Sequence, residues 1–289
     1  MTDNADRRPL GPFSVASIGF GAMRLAGPNV FGPPKDRRQA ITVLREAIDL
    51  GVDHIDTAQF YGPDIVNELI REALHPYPSR LVIVSKVGAS RDTRGGIHTA
   101  DAPEELRRAI EDNLRTLAID TLPVVNLRLM RASGPDAFFD DQLAAMIAAR
   151  DDGLIASIGL SNITLEHLLY AVRATDLACV QNAFHLTNRT SQTVLDECTR
   201  RRIAFVPFAS LGFGATGPNS VLEAGEVVSV AKRLGYTPAQ IALAWALDAS
   251  PNVLVIPGTS SLHHLWENLD ASAVKLDPEA VHQLSGAGG

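Results

Sequence analysis

The sequence predicts a closed (β/α)8 barrel, the TIM-barrel architecture of the α/β class, built as a single domain over residues 1–289. Three observations predict it. Short apolar runs alternate with amphipathic helical patterns from end to end. The apolar runs are continuous, as expected of parallel strands covered on both faces. The strand candidates also amount to a full barrel set, in a chain of 289 residues and 46% hydrophobic content that can bury a large core.

In chain order those candidates are ASIGFGA (16–22), VDHID (52–56), LVIVSK (81–86), LPVVNLRL (122–129), IASIGLS (155–161), ACVQNAF (178–184), IAFVPFA (203–209) and VLVIPG (253–258). Helical patterns lie between them at Arg37–Leu50, Ile65–Leu74, Pro103–Leu117, Phe138–Asp151, Leu165–Ala174, Ser191–Arg202 and Pro238–Ala249. The third opens with Asp101 ahead of Pro103 and two glutamates, an N-terminal signature of cap, preset φ and first-turn acids. A last helix is expected at Pro278–Ser285. Residues 1–12 carry neither pattern and read as a flexible N-terminus. No linker or low-complexity segment divides the chain.

Composition narrows the function classes. The net charge of −7 and pI ≈ 5.6, with no Lys/Arg block and RRPL at Arg7 only a short basic patch, argue against a nucleic-acid partner. The N-terminus lacks the apolar core of a signal peptide, and no apolar run approaches the ~18 residues of a membrane span. Cys179 and Cys198 form no CxxC and read as inert buried thiols of a cytoplasmic protein. The eight histidines show no ligand spacing, so no metal is expected. A monomer or weak homo-oligomer is expected.

The run HIDTAQFYG (54–62) is the most informative stretch. It puts Asp56 at the end of an apolar run and Tyr61 in the turn that follows, closed by Gly62-Pro63; the next apolar run ends on Lys86. Successive parallel strands would deliver this carboxylate, phenol and ammonium to one face. A lysine beside a phenol lowers a pKa normally near ~10, and a carboxylate keeps the lysine charged and oriented. Such a phenol is a general acid able to protonate a carbonyl oxygen. Singly, the three residues have ordinary explanations as a helix cap, a packed turn aromatic and a solvated strand end. Together, at these spacings, they point to chemistry. GFGATG (212–217) matches the G-x-G-x-x-G dinucleotide fingerprint, but Pro218-Asn219 interrupts the helix it requires, so it reads as the loop after the seventh strand.

With these residues in place, the chain resembles the aldo-keto reductases from GFGAM at Gly19 to ENLDA at Glu267. The resemblance implies that Asp56, Tyr61 and Lys86 are catalytic. It implies that Ser161 and Asn162 of GLSN, with Gln181 of VQNAF, hold the carboxamide of a nicotinamide cofactor. Phe208 takes the place of an aromatic that stacks on the nicotinamide, usually a tyrosine, and keeps the stacking face. Gly21 and Met23 of GFGAM, and Ala209, Leu211 and Gly212 of FASLG, lie in segments implied to follow the cofactor. IPGTSSLHHLWEN implies that Gly258, Thr259, Ser260, His264, Glu267 and Asn268 surround the adenosine and its 2′-phosphate. NADPH is the cofactor expected, with NADH an alternative.

Two departures from the family pattern stand out. Arg128 occupies the place of the usual strand-four histidine, with Asn126 two residues earlier on the same face. Arginine is permanently cationic and donor-only, so it is suited to polarise an oxygen or bind an anion, or else to pair structurally with an acid. The other departure is that Gly258 and His264 stand where many members carry lysine or arginine, which thins the grip on a 2′-phosphate. Thr259, Ser260 and Ser261 still offer donors near a helix start.

The stretch LAGPNVFGPPKDRRQAITVLREAIDLGVDHIDTAQFYGP, with IREALHPY and VVNLR, resembles the pyridoxal-reducing bacterial branch of the family (pyridoxine 4-dehydrogenases), whose pattern includes the arginine. In that reading Arg128 contacts the anionic 3-oxygen of pyridoxal. The chain ends soon after its last helix, so an open pocket is expected, without a long C-terminal loop. The activity implied is NADPH-dependent reduction of a small carbonyl substrate, an aldehyde such as pyridoxal, with Tyr61 as proton donor. Reduction of another small or sugar-derived carbonyl, or a slow-turnover regulatory protein that keeps the cofactor, are the alternatives left by the sequence.

Overall fold

The computed structural model describes residues 6–130, 134–212 and 221–286. Most of the GFGATG stretch lies outside these residues. The chain begins with an antiparallel hairpin, β1 (Arg7–Leu10) and β2 (Phe13–Ala16), which corrects the expectation of a flexible start for residues 7–12. Its anchor is chemical as well as apolar. Leu10 and Val15 are buried in a cluster with Val82, Val124, Ala204 and Leu254, capping the base of the barrel. Arg7 pairs with buried Asp53 at 2.9 Å, and Arg8 donates to the carbonyls of Leu247, Ser250 and Val253. The short basic patch is thus structural.

The barrel strands follow: β3 (Phe20–Gly21), β4 (His54–Asp56), β5 (Val82–Arg91), β7 (Val124–Arg128), β8 (Ile158–Ser161), β9 (Cys179–Gln181) and β10 (Ala204–Phe205). They pair in parallel in the order β10-β9-β8-β7-β5-β4-β3. The run predicted at 253–258 closes the circle through single bridges, Phe205 with Val253 and Ile18 with Val255. Backbone bonds Leu254 N to Phe205 O and Gly19 N to Val255 O, each 2.9 Å, seal the seam. The barrel prediction therefore holds, although its last strand is pinned by a few bonds and no longer ladder forms.

Helices α1 (Arg37–Asp49), α2 (Ile65–Leu74), α3 (Pro103–Leu117), α4 (Ala137–Asp151), α5 (Leu165–Ala171), α6 (Gln192–Arg201), α7 (Gly225–Leu234), α8 (Pro238–Asp248), α9 (Leu262–Asp270) and α10 (Pro278–Ser285) cover the strands. Each buries an apolar face, such as Val43, Leu44, Ala47 and Ile48 of α1. Their starts are set by short polar caps: Asp36 accepts from Gln39 N, Asp136 from Phe139 N and Asp277 from Ala280 N. At α3 the cap position is Ala102, not Asp101, and Glu105 reaches back to the Ala102 N–H at 3.1 Å.

One excursion was not foreseen. The third strand does not stop at Lys86 but continues as β5 to Arg91 and turns back as β6 (Ile97–Ala100), an antiparallel hairpin rising above the barrel mouth. Gly88 makes the departure possible. Its φ is +104°, and a side chain there would press into the carbonyl oxygen of Arg128. Asp92 ties the turn by accepting from Arg94 N and Gly96 N, both 2.8 Å. Among the described residues, no helix is long and apolar enough to cross a membrane, and no cluster of His, Cys, Asp or Glu is arranged to hold a metal.

Candidate active site

Inward-facing residues recur every second position along each strand, so the last inward residue of each strand faces the mouth. Asp56, Arg128, Ser161 and Gln181 are the final residues of β4, β7, β8 and β9. Register brings the last three level: Arg128 lies opposite Ser161, and Ser161 opposite Gln181. On β5, Lys86 lies opposite Asn126, two residues before the level of Arg128, just before the hairpin departs.

Asp56 and Lys86 form an ion pair with only 5% and 4% of their side chains exposed. Lys86 also donates to Thr57 O at 3.1 Å, and Gln181 Nε2 donates to the second oxygen of Asp56 at 2.5 Å. Both carboxylate oxygens are therefore committed, and the ammonium cannot swing away. Burial opposes the charge on Lys86, but attraction to Asp56, and then to the Tyr61 oxygen, outweighs it. The lysine pKa is held above its ordinary value. The ammonium lies 5.2 Å from the centroid of the Tyr61 ring. Tyr61 is itself buried, its N–H bonded to Ala58 O and its ring edge-on to Phe60 at 5.3 Å.

Arg128 reaches Ser161 Oγ at 3.5 Å and lies 5.5 Å from the centroid of the Phe208 ring. No carboxylate pairs with it among the described residues, so the structural ion pair considered for it is not formed there. The two cysteines are buried and free, and burial pushes the Cys198 thiol up to about 12, as expected of inert thiols.

One cavity of about 950 Å³ opens at the mouth, and Asp56, Tyr61, Lys86 and Arg128 all contribute to its wall. Of the residues expected to surround a cofactor, Gly21, Met23, Phe208, Ala209, Leu211 and Gly212 line it, as do Gly258, Thr259, Ser260 and His264. The remaining expected residues stand off that wall. Ser161 is buried beneath Arg128, and Asn162 turns its amide to Leu129 O at 2.7 Å. Gln181 is buried behind Asp56. Glu267 lies 3.8 Å from His263 along α9, and Asn268 is buried in the same helix.

The sequence reading missed Arg24, Lys35, Arg91 and Ile97, which also line the cavity. The last two come with the unforeseen hairpin, whose signal was the pair of runs VGASR and IHTA around Gly95-Gly96. Arg91 is braced by the carbonyls of Phe60 and Gly95.

A parallel barrel with a buried carboxylate–lysine pair beside a tyrosine at its mouth defines a class of carbonyl-directed oxidoreductase. Residues 17–288 match the model of the aldo/keto reductase family, and the chain belongs to that family of enzymes. It is 46% identical to pyridoxine 4-dehydrogenase of Escherichia coli (strain K12) over 280 residues, covering 96% of each chain. It is 36% identical to an uncharacterised oxidoreductase of Schizosaccharomyces pombe, over 96% of this chain and 89% of that one. Among solved structures, it resembles a thermostable aldo-keto reductase bound to the inhibitor epalrestat (TM-score 0.81, 27% identity, 98% and 99% of the two chains covered). It also resembles a Klebsiella pneumoniae aldo/keto reductase in complex with NADP and acetate (TM-score 0.79, 25% identity, 96% and 95% covered).

Proposed function

We propose that the protein reduces an aldehyde to its alcohol with NADPH, and that pyridoxal, giving pyridoxine, is the substrate its site suits best. The observation that carries this reading is the buried Asp56–Lys86 pair set beside Tyr61 on the wall of the cavity. The 46% identity to a pyridoxine 4-dehydrogenase supports the choice of substrate.

The residues present fit a nicotinamide dinucleotide. Gln181 Oε1 is buried with no hydrogen-bond partner among the described residues, an acceptor suited to a carboxamide N–H. Phe208 offers a half-buried aromatic face at the cavity wall. When bound, reduced nicotinamide supplies the hydride that reaches the carbonyl carbon. Tyr61 donates its phenolic proton to the carbonyl oxygen, which receives the electron pair of the C=O π bond. The charge left on the phenolate is stabilised by Lys86, and Asp56 keeps that ammonium oriented at no cost of reorganisation during the step. Proton uptake from solvent restores the phenol.

Arg128 gives the site its substrate character. Its guanidinium is steadied by Phe208 and Ser161 and has no described carboxylate to neutralise it. A planar, permanently charged donor in that state suits an anionic oxygen on an aromatic ring, such as the pyridine 3-oxygen of pyridoxal.

A screen of cofactor oxidation over pyridoxal, benzaldehyde and short aliphatic and sugar-derived aldehydes, run with NADPH and NADH, tests the reading. The highest kcat/KM is expected for pyridoxal with NADPH. Faster turnover of a sugar-derived aldehyde would reassign the substrate, and absence of turnover with all of them would remove the catalytic reading.

A further inference from the structure

Position 258 is where the resemblance calls for a basic side chain against the cofactor's 2′-phosphate, and here no side chain fits. Gly21 and Gly258 meet at the seam of the barrel, joined by the bond from Gly21 N to Pro257 O. A Cβ on Gly258 would press into the carbonyl oxygen of Gly21, which is backbone in the closing strand and cannot give way. The same Cβ position lies 3.4 Å from Cγ of Arg24, so the stem of Arg24 already covers the face from which a residue-258 side chain would project. Arg24 belongs to the 3₁₀ turn Ala22–Leu25 that follows β3, is exposed, and lines the same cavity as Gly258, Thr259, Ser260 and His264.

We propose that Arg24 is the specificity-determining cation for the 2′-phosphate of NADPH, supplying from the first βα turn the charge that the segment after the last strand lacks. The inference rests on NADPH being the cofactor. Charge around the seat favours it. α9, which begins just beyond Ser261, carries no acidic residue in its first turn. The carboxylate of Asp36, also at the cavity wall, is engaged at the N-terminus of α1 by Gln39 N at 2.9 Å. Thr259 accepts from Ser261 N at 3.0 Å through its hydroxyl oxygen, fixing the loop that follows Gly258. A guanidinium binds a phosphate through paired N–H donors, an interaction that the 2′-hydroxyl of NADH does not reproduce.

Equilibrium binding, read by fluorescence quenching or calorimetry, tests the proposal on the whole protein with no substrate present. NADPH and NADH, and the fragments 2′,5′-ADP and 5′-AMP, are titrated into wild type, Arg24→Ala and Arg24→Lys. Arg24→Ala should weaken NADPH and 2′,5′-ADP by about tenfold or more while NADH and 5′-AMP change less than about twofold. Arg24→Lys should recover part of the loss. Melting temperatures recorded alongside, with loss of NADPH affinity at an unchanged NADH affinity, separate lost binding from lost folding. A wild type that prefers NADPH and an Arg24→Ala variant that prefers it equally would overturn the role of Arg24 and leave the cofactor reading intact. An equal loss for NADPH and NADH would also overturn it, by moving the contact to the shared pyrophosphate. A wild type that prefers NADH would overturn both.

Discussion

Lys86 and Asp56 belong to adjacent parallel strands, and their ion pair is sealed in the barrel, with a second donor, Gln181, on the other carboxylate oxygen. A charge pair so deep has two consequences. It holds Tyr61 next to a fixed cation, and it makes either partner dangerous to remove alone. Breaking a buried pair strands one charge and costs about 3–5 kcal/mol, whereas replacing both partners with neutral groups of similar volume is often nearly neutral.

Lys86→Met should therefore unfold at markedly lower denaturant concentration than wild type, and adding Asp56→Asn should recover most of that loss. Neither variant should turn over aldehyde at more than a small fraction of the wild-type rate. Equilibrium denaturation alongside steady-state kinetics checks this. A double variant no more stable than Lys86→Met would contradict the pairing energetics. Because the folded pKa of Lys86 lies above its unfolded value, its contribution is complete below the unfolded pKa of ~10.4 and fades only as pH rises through the higher folded value. The pair should thus cause no loss of stability between neutral pH and about 10.

Asp53 gives the opposite pH dependence. Burial opposes its charge, but the His54 ring 3.7 Å away, the bond from the Ala16 N–H and the Arg7 guanidinium outweigh that, so its carboxyl sits below the usual range. A depressed folded pKa contributes stability above the unfolded value of ~3.9 and loses it as pH falls through the folded one. Asp53→Asn should therefore be less stable than wild type by about 1–3 kcal/mol at pH 6. The gap should close below about pH 4, as thermal melts across pH would show. A gap that stays constant down to pH 3 would mean the carboxylate charge is irrelevant and only the hairpin's packing matters.

For Arg128, the expected signature is selectivity. Arg128→Ala should lower kcat/KM for pyridoxal about ten- to a hundredfold more than for benzaldehyde, the effect of losing one charge-assisted bond. Arg128→His should favour generic aldehydes over pyridoxal. Parallel losses on both substrates, confined to kcat, would instead assign the guanidinium to the reacting carbonyl.

The sequence made the barrel and the meeting of Asp56, Tyr61 and Lys86 legible because both depend on local pattern. Strand period and strand ends alone bring Asp56, Lys86 and Arg128 to the mouth, and Tyr61 follows from the turn after Asp56. What was not legible depends on contacts between distant segments. Arg7 and Arg8 read as part of a flexible start because their partners, Asp53 and the carbonyls near Ser250, are remote in sequence. The hairpin after Lys86 was missed because a continuous apolar strand gave no sign that Gly88 would redirect it past the Arg128 backbone. Arg24 was passed over for the same reason, since only the closed seam sets it over Gly258. Gln181 was expected on the cofactor and is found bound to Asp56, a second task for one side chain that spacing does not reveal.

Single-turnover reduction of pyridoxal by enzyme preloaded with NADPH, compared between wild type and Tyr61→Phe, isolates the proton-donor role of Tyr61. Wild type should consume NADPH rapidly and yield stoichiometric pyridoxine. Tyr61→Phe should react about 10²–10⁴-fold more slowly, with NADPH affinity nearly unchanged, since only the proton donor is lost. Near-normal turnover by the phenylalanine variant, or a wild type that binds NADPH and leaves pyridoxal unreduced, would contradict it.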